Sequence, residues 1–205
     1  TNAIDINGNF ENSAGTFDAN DLNVNVAKNW TISGGSFSAD VAPGATTQTV
    51  TFDSTNAAAV SGSTTFNNLT MDTSVDGAKT ITFTAGTTQT ITSGKTWTLN
   101  GAVGKVLTLR SSSPGTAWKF VIYANFTSGT YIDVQDSQNT TNGNRITAGA
   151  NVTNSGNNYP GWIFTPTLSF SLDSNTVTFN NLNPGNSYTD TKTNTVTTNT
   201  NAENG

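Results

Sequence analysis

The chain has 205 residues and contains neither histidine nor cysteine. Its chemistry is therefore confined to carboxylates, hydroxyls, amides and aromatic rings. The commonest general base and the commonest neutral metal ligand are both missing, and zinc sites built from Cys and His cannot form. The nearest approach to a catalytic carboxylate pair is Asp133 and Asp136, within Tyr131-Ile132-Asp133-Val134-Gln135-Asp136. Paired carboxylates act as acid and base in sugar hydrolysis. On a strand, however, an offset of three puts two side chains on opposite faces. One aspartate is therefore expected to cap a turn and the other to be solvated. Asp18, Asn20 and Asp21 could offer oxygens to calcium, but no repeated Gly-rich calcium loop accompanies them and a turn is the preferred reading. No catalytic residue, no metal ligand and no cofactor is expected.

Two other groups invite a binding reading. The alternating threonines at 80–84, 90–92 and 96–98 resemble the surface of an ice-binding protein, which needs threonine at one coil position over several coils. Threonine is also an ordinary outward-facing strand residue. Trp30, Trp97, Trp118 and Trp162 could stack on sugars, but Trp30 and Trp97 occupy positions that read as core, leaving Tyr123 and Tyr159 the less constrained aromatics. Glycosylation-type triplets begin at Asn29, Asn68, Asn125, Asn139 and Asn151. In a chain about a third Thr and Asn, such triplets arise by chance.

The elements that position these residues are short strands. Thr80-Ile81-Thr82-Phe83-Thr84 and Thr96-Trp97-Thr98-Leu99 alternate polar and apolar, which sends the apolar set to one face. Gly, Asn and Ser clusters such as Ser33-Gly34-Gly35, Ala85-Gly86 and Asn100-Gly101 supply the turns. A repeat underlies the pattern. Residues 6–20 lie over 26–40 at an offset of 20, with Asn9/Asn29, Ser13/Ser33, Gly15/Gly35, Phe17/Phe37 and Ala19/Ala39 identical. Residues 46–51 recur as 87–92, and 49–52 as 80–83, which reads as coils of unequal length. The expected fold is all-β, a parallel β-helix (β-solenoid) over 1–165 with coils near 20 residues, roughly seven in number. A short β-strand segment follows over 166–205. Asparagines at equivalent positions, such as Asn9 and Asn29, are expected to form ladders up the stack. After Thr165-Pro166, the runs Leu168–Leu172, Thr176–Phe179 and Thr195–Thr197 read as an incomplete β-sandwich or a tail donated to a neighbour.

Composition excludes several functions. The 8 Lys and Arg are scattered and the net charge is −5, which disfavours a nucleic-acid partner. No apolar run reaches the length of a membrane span. Low hydrophobicity would fit disorder, but modest net charge and ordered β-branched and aromatic positions argue against it. Absence of cysteine means stability without disulfides. A chain opening on Thr1 instead of Met is expected to have a processed N-terminus.

The phrases Asn29-Trp30-Thr31-Ile32-Ser33-Gly34-Gly35-Ser36-Phe37, Thr49-Val50-Thr51-Phe52-Asp53 and Thr64-Thr65-Phe66-Asn67-Asn68-Leu69-Thr70 resemble the Asn/Thr/Gly-rich coil repeats of large bacterial β-helix, adhesin-like surface proteins. The stretch from Leu107 through Trp118 and Tyr131–Ser137 to Gly161-Trp162-Ile163-Phe164 looks like the closing part of such a domain. The resemblance covers roughly residues 4–164. It implies an extracellular or cell-surface location and a longer, multi-domain parent, and it transfers no catalytic residue. The expected function is a non-enzymatic structural or adhesive module. Its expected partners are other copies or other surface-protein domains, with a glycan as an additional candidate. A carbohydrate-binding or polysaccharide-degrading β-helix and an ice-binding protein are the alternatives.

Overall fold

The computed structural model describes residues 3–38 and 48–164. Within them the chain is all-β, without helix, and its parallel sheets stack as a β-solenoid of about six turns. The expected segment over 166–205 lies outside the described residues.

Each coil visits three faces. The first coil contributes β1 (Ile4–Ile6), β2 (Phe10–Asn12) and β3 (Thr16–Asp18), and the second β4 (Val24–Val26), β5 (Trp30–Ile32) and β6 (Ser36–Ser38). The third holds β7 (Thr49–Phe52), β8 (Ala58–Ser61) and β9 (Thr64–Phe66), and the fourth β10 (Asn68–Asp72), β11 (Lys79–Phe83) and β12 (Thr88–Ile91). The fifth holds β13 (Trp97–Asn100), β14 (Leu107–Ser111) and β15 (Trp118–Val121), and the sixth β16 (Phe126–Thr127), β17 (Ile132–Val134) and β18 (Ser137–Gln138). A last set, β19 (Ile146–Thr147), β20 (Thr153–Asn154) and β21 (Trp162–Ile163), closes the stack.

The second face is one unbroken sheet, β2-β5-β8-β11-β14-β17-β20. Its seven strands make six steps, a rise of about 29 Å at the usual strand spacing. The first face divides into β1-β4-β7-β10-β13 and β16-β19-β21, and the third into β3-β6 and β9-β12-β15-β18. Because alternation within each strand is strict, equivalent inward side chains stack into columns. Ile4, Val24, Val50, Leu69 and Trp97 form one such column on the first face. Phe10, Trp30, Val60 and Phe83 form another on the second. The rings of Phe10 and Trp30 stack at 4.1 Å, and those of Phe83 and Trp118 at 3.8 Å. Together these columns form one continuous apolar core, in a chain without cysteine.

The offset-20 repeat is structural: Ile4 pairs Val24, Phe10 pairs Trp30 and Phe17 pairs Phe37, one match on each face. The later sequence matches are not. Thr49–Phe52 is on the first face, whereas its look-alikes 80–83 and 90–92 fall on the second and third. In register, Val50 stands beside Val24 and Leu69, while Ile81 stands beside Ala58 and Leu109. Coils are indeed unequal: Trp30 pairs Val60 at a step of 30, and Leu69 pairs Trp97 at 28. The described stack has about six turns, against the roughly seven coils expected from the sequence.

Asparagine ladders exist, but in a different form from amide on amide. The Asn9 side-chain oxygen accepts the Asn29 backbone N–H at 3.2 Å, and the Asn29 oxygen accepts the Ala59 N–H at 2.8 Å. Asn23 and Thr49, Asn68 and Thr96, and Asn125 and Arg145 repeat the arrangement at other corners. These asparagines stand just before or at the start of a strand, at the corner where the chain enters it and the ladder does not satisfy the next coil's N–H. The side chain below does so, contributing on the order of 1 kcal/mol per bond and less where water competes. Gly62 shows how close the coils come: it sits at φ +82°, and a Cβ there would overlap the Ile32 carbonyl below.

Candidate functional site

The aspartates of the sequence motif are separated by the strand that carries them. Asp133 lies on the outward side of β17, paired with Arg110 and accepting a hydrogen bond from the Ser155 hydroxyl at 2.6 Å. Asp136 is buried at the following corner at φ 56°. Its carboxylate accepts from the Gly115 N–H at 3.1 Å and from the Asn157 amide at 2.7 Å. One is therefore an ion-pair partner and the other a corner cap. Asp18 also serves a turn: its oxygen accepts the Asn20 N–H at 2.8 Å, with Asn20 and Asp21 both at positive φ. Among the described residues, no three Asp, Glu, His or Cys side chains gather as a metal site would require.

The threonines of 80–84, 90–92 and 96–98 point outward on three different faces. The tallest outward column on the first face runs Asp5, Asn25, Thr51, Thr70, Thr98, so threonine persists for three levels. Thr80 stands beside Thr108, but Thr82 stands between Ala59 and Arg110, and Thr90 beside Thr65. The four tryptophans are all buried, as the core reading of Trp30 and Trp97 requires. Tyr123 and Tyr159 are exposed, the latter with the Arg145 guanidinium 5.0 Å from its ring centre. The triplet asparagines Asn29, Asn68 and Asn125 hold the neighbouring coil. Asn139 is buried and bonded to Asn142 and Asn144, and Asn151 is an exposed corner residue at φ 57°.

A buried lysine and a half-buried aspartate have consequences for stability. Lys79 occupies an inward position on β11, and its ammonium donates to the Phe52 carbonyl at 2.8 Å. Burial pulls its pKa below the ordinary lysine value, with Asp53 and Asp76 opposing. Asp72 is pulled below the ordinary carboxylate value. Burial is the largest influence and acts to raise it, but hydrogen bonds from Ser74 and Asn100 together outweigh it.

One feature of the fold escaped sequence reasoning. On the first face β13 ends its sheet and β16 begins another. The two are joined only at one end, where the Gly129 N–H donates to the Leu99 carbonyl at 2.8 Å and the Gly101 N–H to the Thr130 carbonyl at 2.7 Å. Toward Trp97 they diverge, and a cleft of about 440 Å³ opens between the fifth and sixth coils. Its apolar wall includes Trp97 and Phe126, and its rim carries Thr98, Tyr123 and Thr127. The only signal in the sequence is Tyr123-Ala124-Asn125, an exposed tripeptide between the apolar runs Phe120–Ile122 and Phe126.

No protein-family model, no curated relative and no solved structure matches the chain. Class and function therefore rest on the fold and the site alone. Among the described residues no helix is long and apolar enough to cross a membrane.

Proposed function

We propose that this chain is a non-enzymatic extracellular structural module, a stiff β-solenoid of a bacterial surface adhesin or filament. One observation carries the reading: among the described residues, the first-coil strands β1, β2 and β3 are each paired on one side only. Open edges of this kind accept a further strand. The tail sequence supplies alternating runs at 168–172, 176–179 and 195–197 that would serve as donors to the next copy. Addition of this kind is head to tail and generates filaments. Stiffness comes from the unbroken second-face sheet and from the side-chain bonds at the corners. The engagement of Asp133 and Asp136 in structural bonds supports the non-enzymatic assignment.

Analytical ultracentrifugation and negative-stain imaging of the full chain, beside a version ending at Thr165, test this reading. Filaments from the full chain and monomers from the shortened one are expected. Monomers from both would end the strand-donation reading.

A further inference from the structure

The cleft between β13 and β16 would admit a ligand against core residues of the solenoid, and its lining defines what would enter. We infer that it binds a short neutral saccharide, held against the aromatic wall and hydrogen-bonded by the threonine rim. This inference does not depend on self-assembly.

Size is the first argument. A volume of about 440 Å³ falls in the range of small-molecule sites. Charge is the second. Lys95 is the only charged residue of the lining, and no carboxylate belongs to it. Such a site offers neither the cluster of cations a phosphate group needs nor the carboxylates a cation needs. The third argument is the division of the surface. Trp97 and Phe126 give an apolar wall, while Thr98, Thr127 and Tyr123 are exposed or half-buried and carry hydroxyls that donate and accept. A sugar ring has the same division, C–H bonds on its faces and hydroxyls around its edge, and aromatic residues with a polar handle suit it.

Heteronuclear NMR of the full 205-residue chain tests the inference, with maltose, cellobiose and lactose as neutral probes. Glucuronic acid and a strand-forming heptapeptide serve as comparisons. The expected result is saturable amide shifts at Trp97, Thr98, Tyr123, Phe126 and Gly129 with at least one neutral disaccharide. Tyr123→Ala and the double variant Thr98→Val/Thr127→Val should weaken binding about tenfold or more. Tyr159→Ala, which removes the other exposed tyrosine among the described residues, should leave it unchanged. Unshifted β11 amides and an unchanged melting temperature would show that the variants keep the fold. The inference is overturned if none of the disaccharides shifts the cleft amides, or if the shifts survive Tyr123→Ala. It is equally overturned if the peptide or the acid sugar binds there and the neutral sugars do not.

Discussion

The first two coils and the junction of the fifth and sixth are built from the same kinds of residue but to different effect. In the first two, a step of 20 residues is kept on all three faces, and Phe10, Trp30, Phe17 and Phe37 stack with every ring facing another. Trp30 is wholly buried and its N–H is satisfied. At the junction, the second-face sheet continues from β14 to β17, yet the first-face sheet stops at β13. The tryptophan there has an unfilled N–H and borders an opening. A solenoid can thus break on one face without losing its stack, because each face carries its own ladder of hydrogen bonds. Regularity builds the rod, and a local lapse in regularity builds the place where something can bind.

The largest effect expected from breaking this contrast is at the regular end. Trp30→Ala removes a stacked ring and the partner of the Thr64 hydroxyl, and should cost about 3–5 kcal/mol in urea unfolding. A loss below about 1 kcal/mol would show that the first coils are not tightly packed. Glycines sharpen the same comparison. Gly62→Ala should cost about 2–4 kcal/mol, since a Cβ there meets the Ile32 carbonyl and the φ is also unfavourable. Gly94 borders the cleft at φ +74° with nothing near its Cβ position. Gly94→Ala should therefore cost only about 1 kcal/mol, from backbone strain alone. Equal losses at the two sites would mean that coil-to-coil approach is not what Gly62 serves.

The regular region was legible from the sequence and the junction was not, for a physical reason. At an offset of 20, loops and strands repeat together, so the identities Asn9/Asn29 and Phe17/Phe37 report true stacking. Elsewhere the loops differ in length and only the strands resemble one another. Strands on every face answer to the same period of two, so Thr49–Phe52 and Thr80–Phe83 look alike while lying on different faces. Alternation identifies a strand and its inward side; it does not identify its face. The cleft was hidden for a related reason. Trp97 alternates with threonine as a core residue should, and it is one. What opens the cleft is the absence of pairing with β16, a relation between segments almost 30 residues apart. Roles at single corners were more accessible: the expected turn function of Asp18 and the capping by one of Asp133 and Asp136 follow from residue type and spacing.

A smaller effect separates the two tryptophans directly. Trp30→Phe strands the buried Thr64 hydroxyl, whereas Trp97→Phe removes an N–H that has no partner. The first should cost about 1–2 kcal/mol more than the second, measured by urea midpoint at a common slope. If Trp97→Phe is the costlier, its indole N–H is satisfied in solution.

The smallest effect concerns the end of β13 that stays closed. Asp72 pairs Asn100 in register, and the Asn100 amide is used from both sides: its N–H₂ donates to Asp72 at 3.3 Å, and its oxygen accepts the Thr130 N–H at 3.2 Å. Asp72 therefore reaches the sixth coil through one amide, and it helps pin the end about which the two strands diverge. Its carboxyl is held below the ordinary value in the folded chain, so the charged form is favoured by folding. That contribution is complete above the unfolded value of 3.8, and it is lost as pH falls through the lower, folded value. Because the group is largely solvated, the amount should stay below about 1 kcal/mol. Urea midpoints from pH 5 to pH 2 should fall more steeply for the native chain than for Asp72→Asn. If the two chains fall together, the Asp72–Asn100 contact does not hold the closed end, which then rests on the Gly129 to Leu99 and Gly101 to Thr130 backbone bonds.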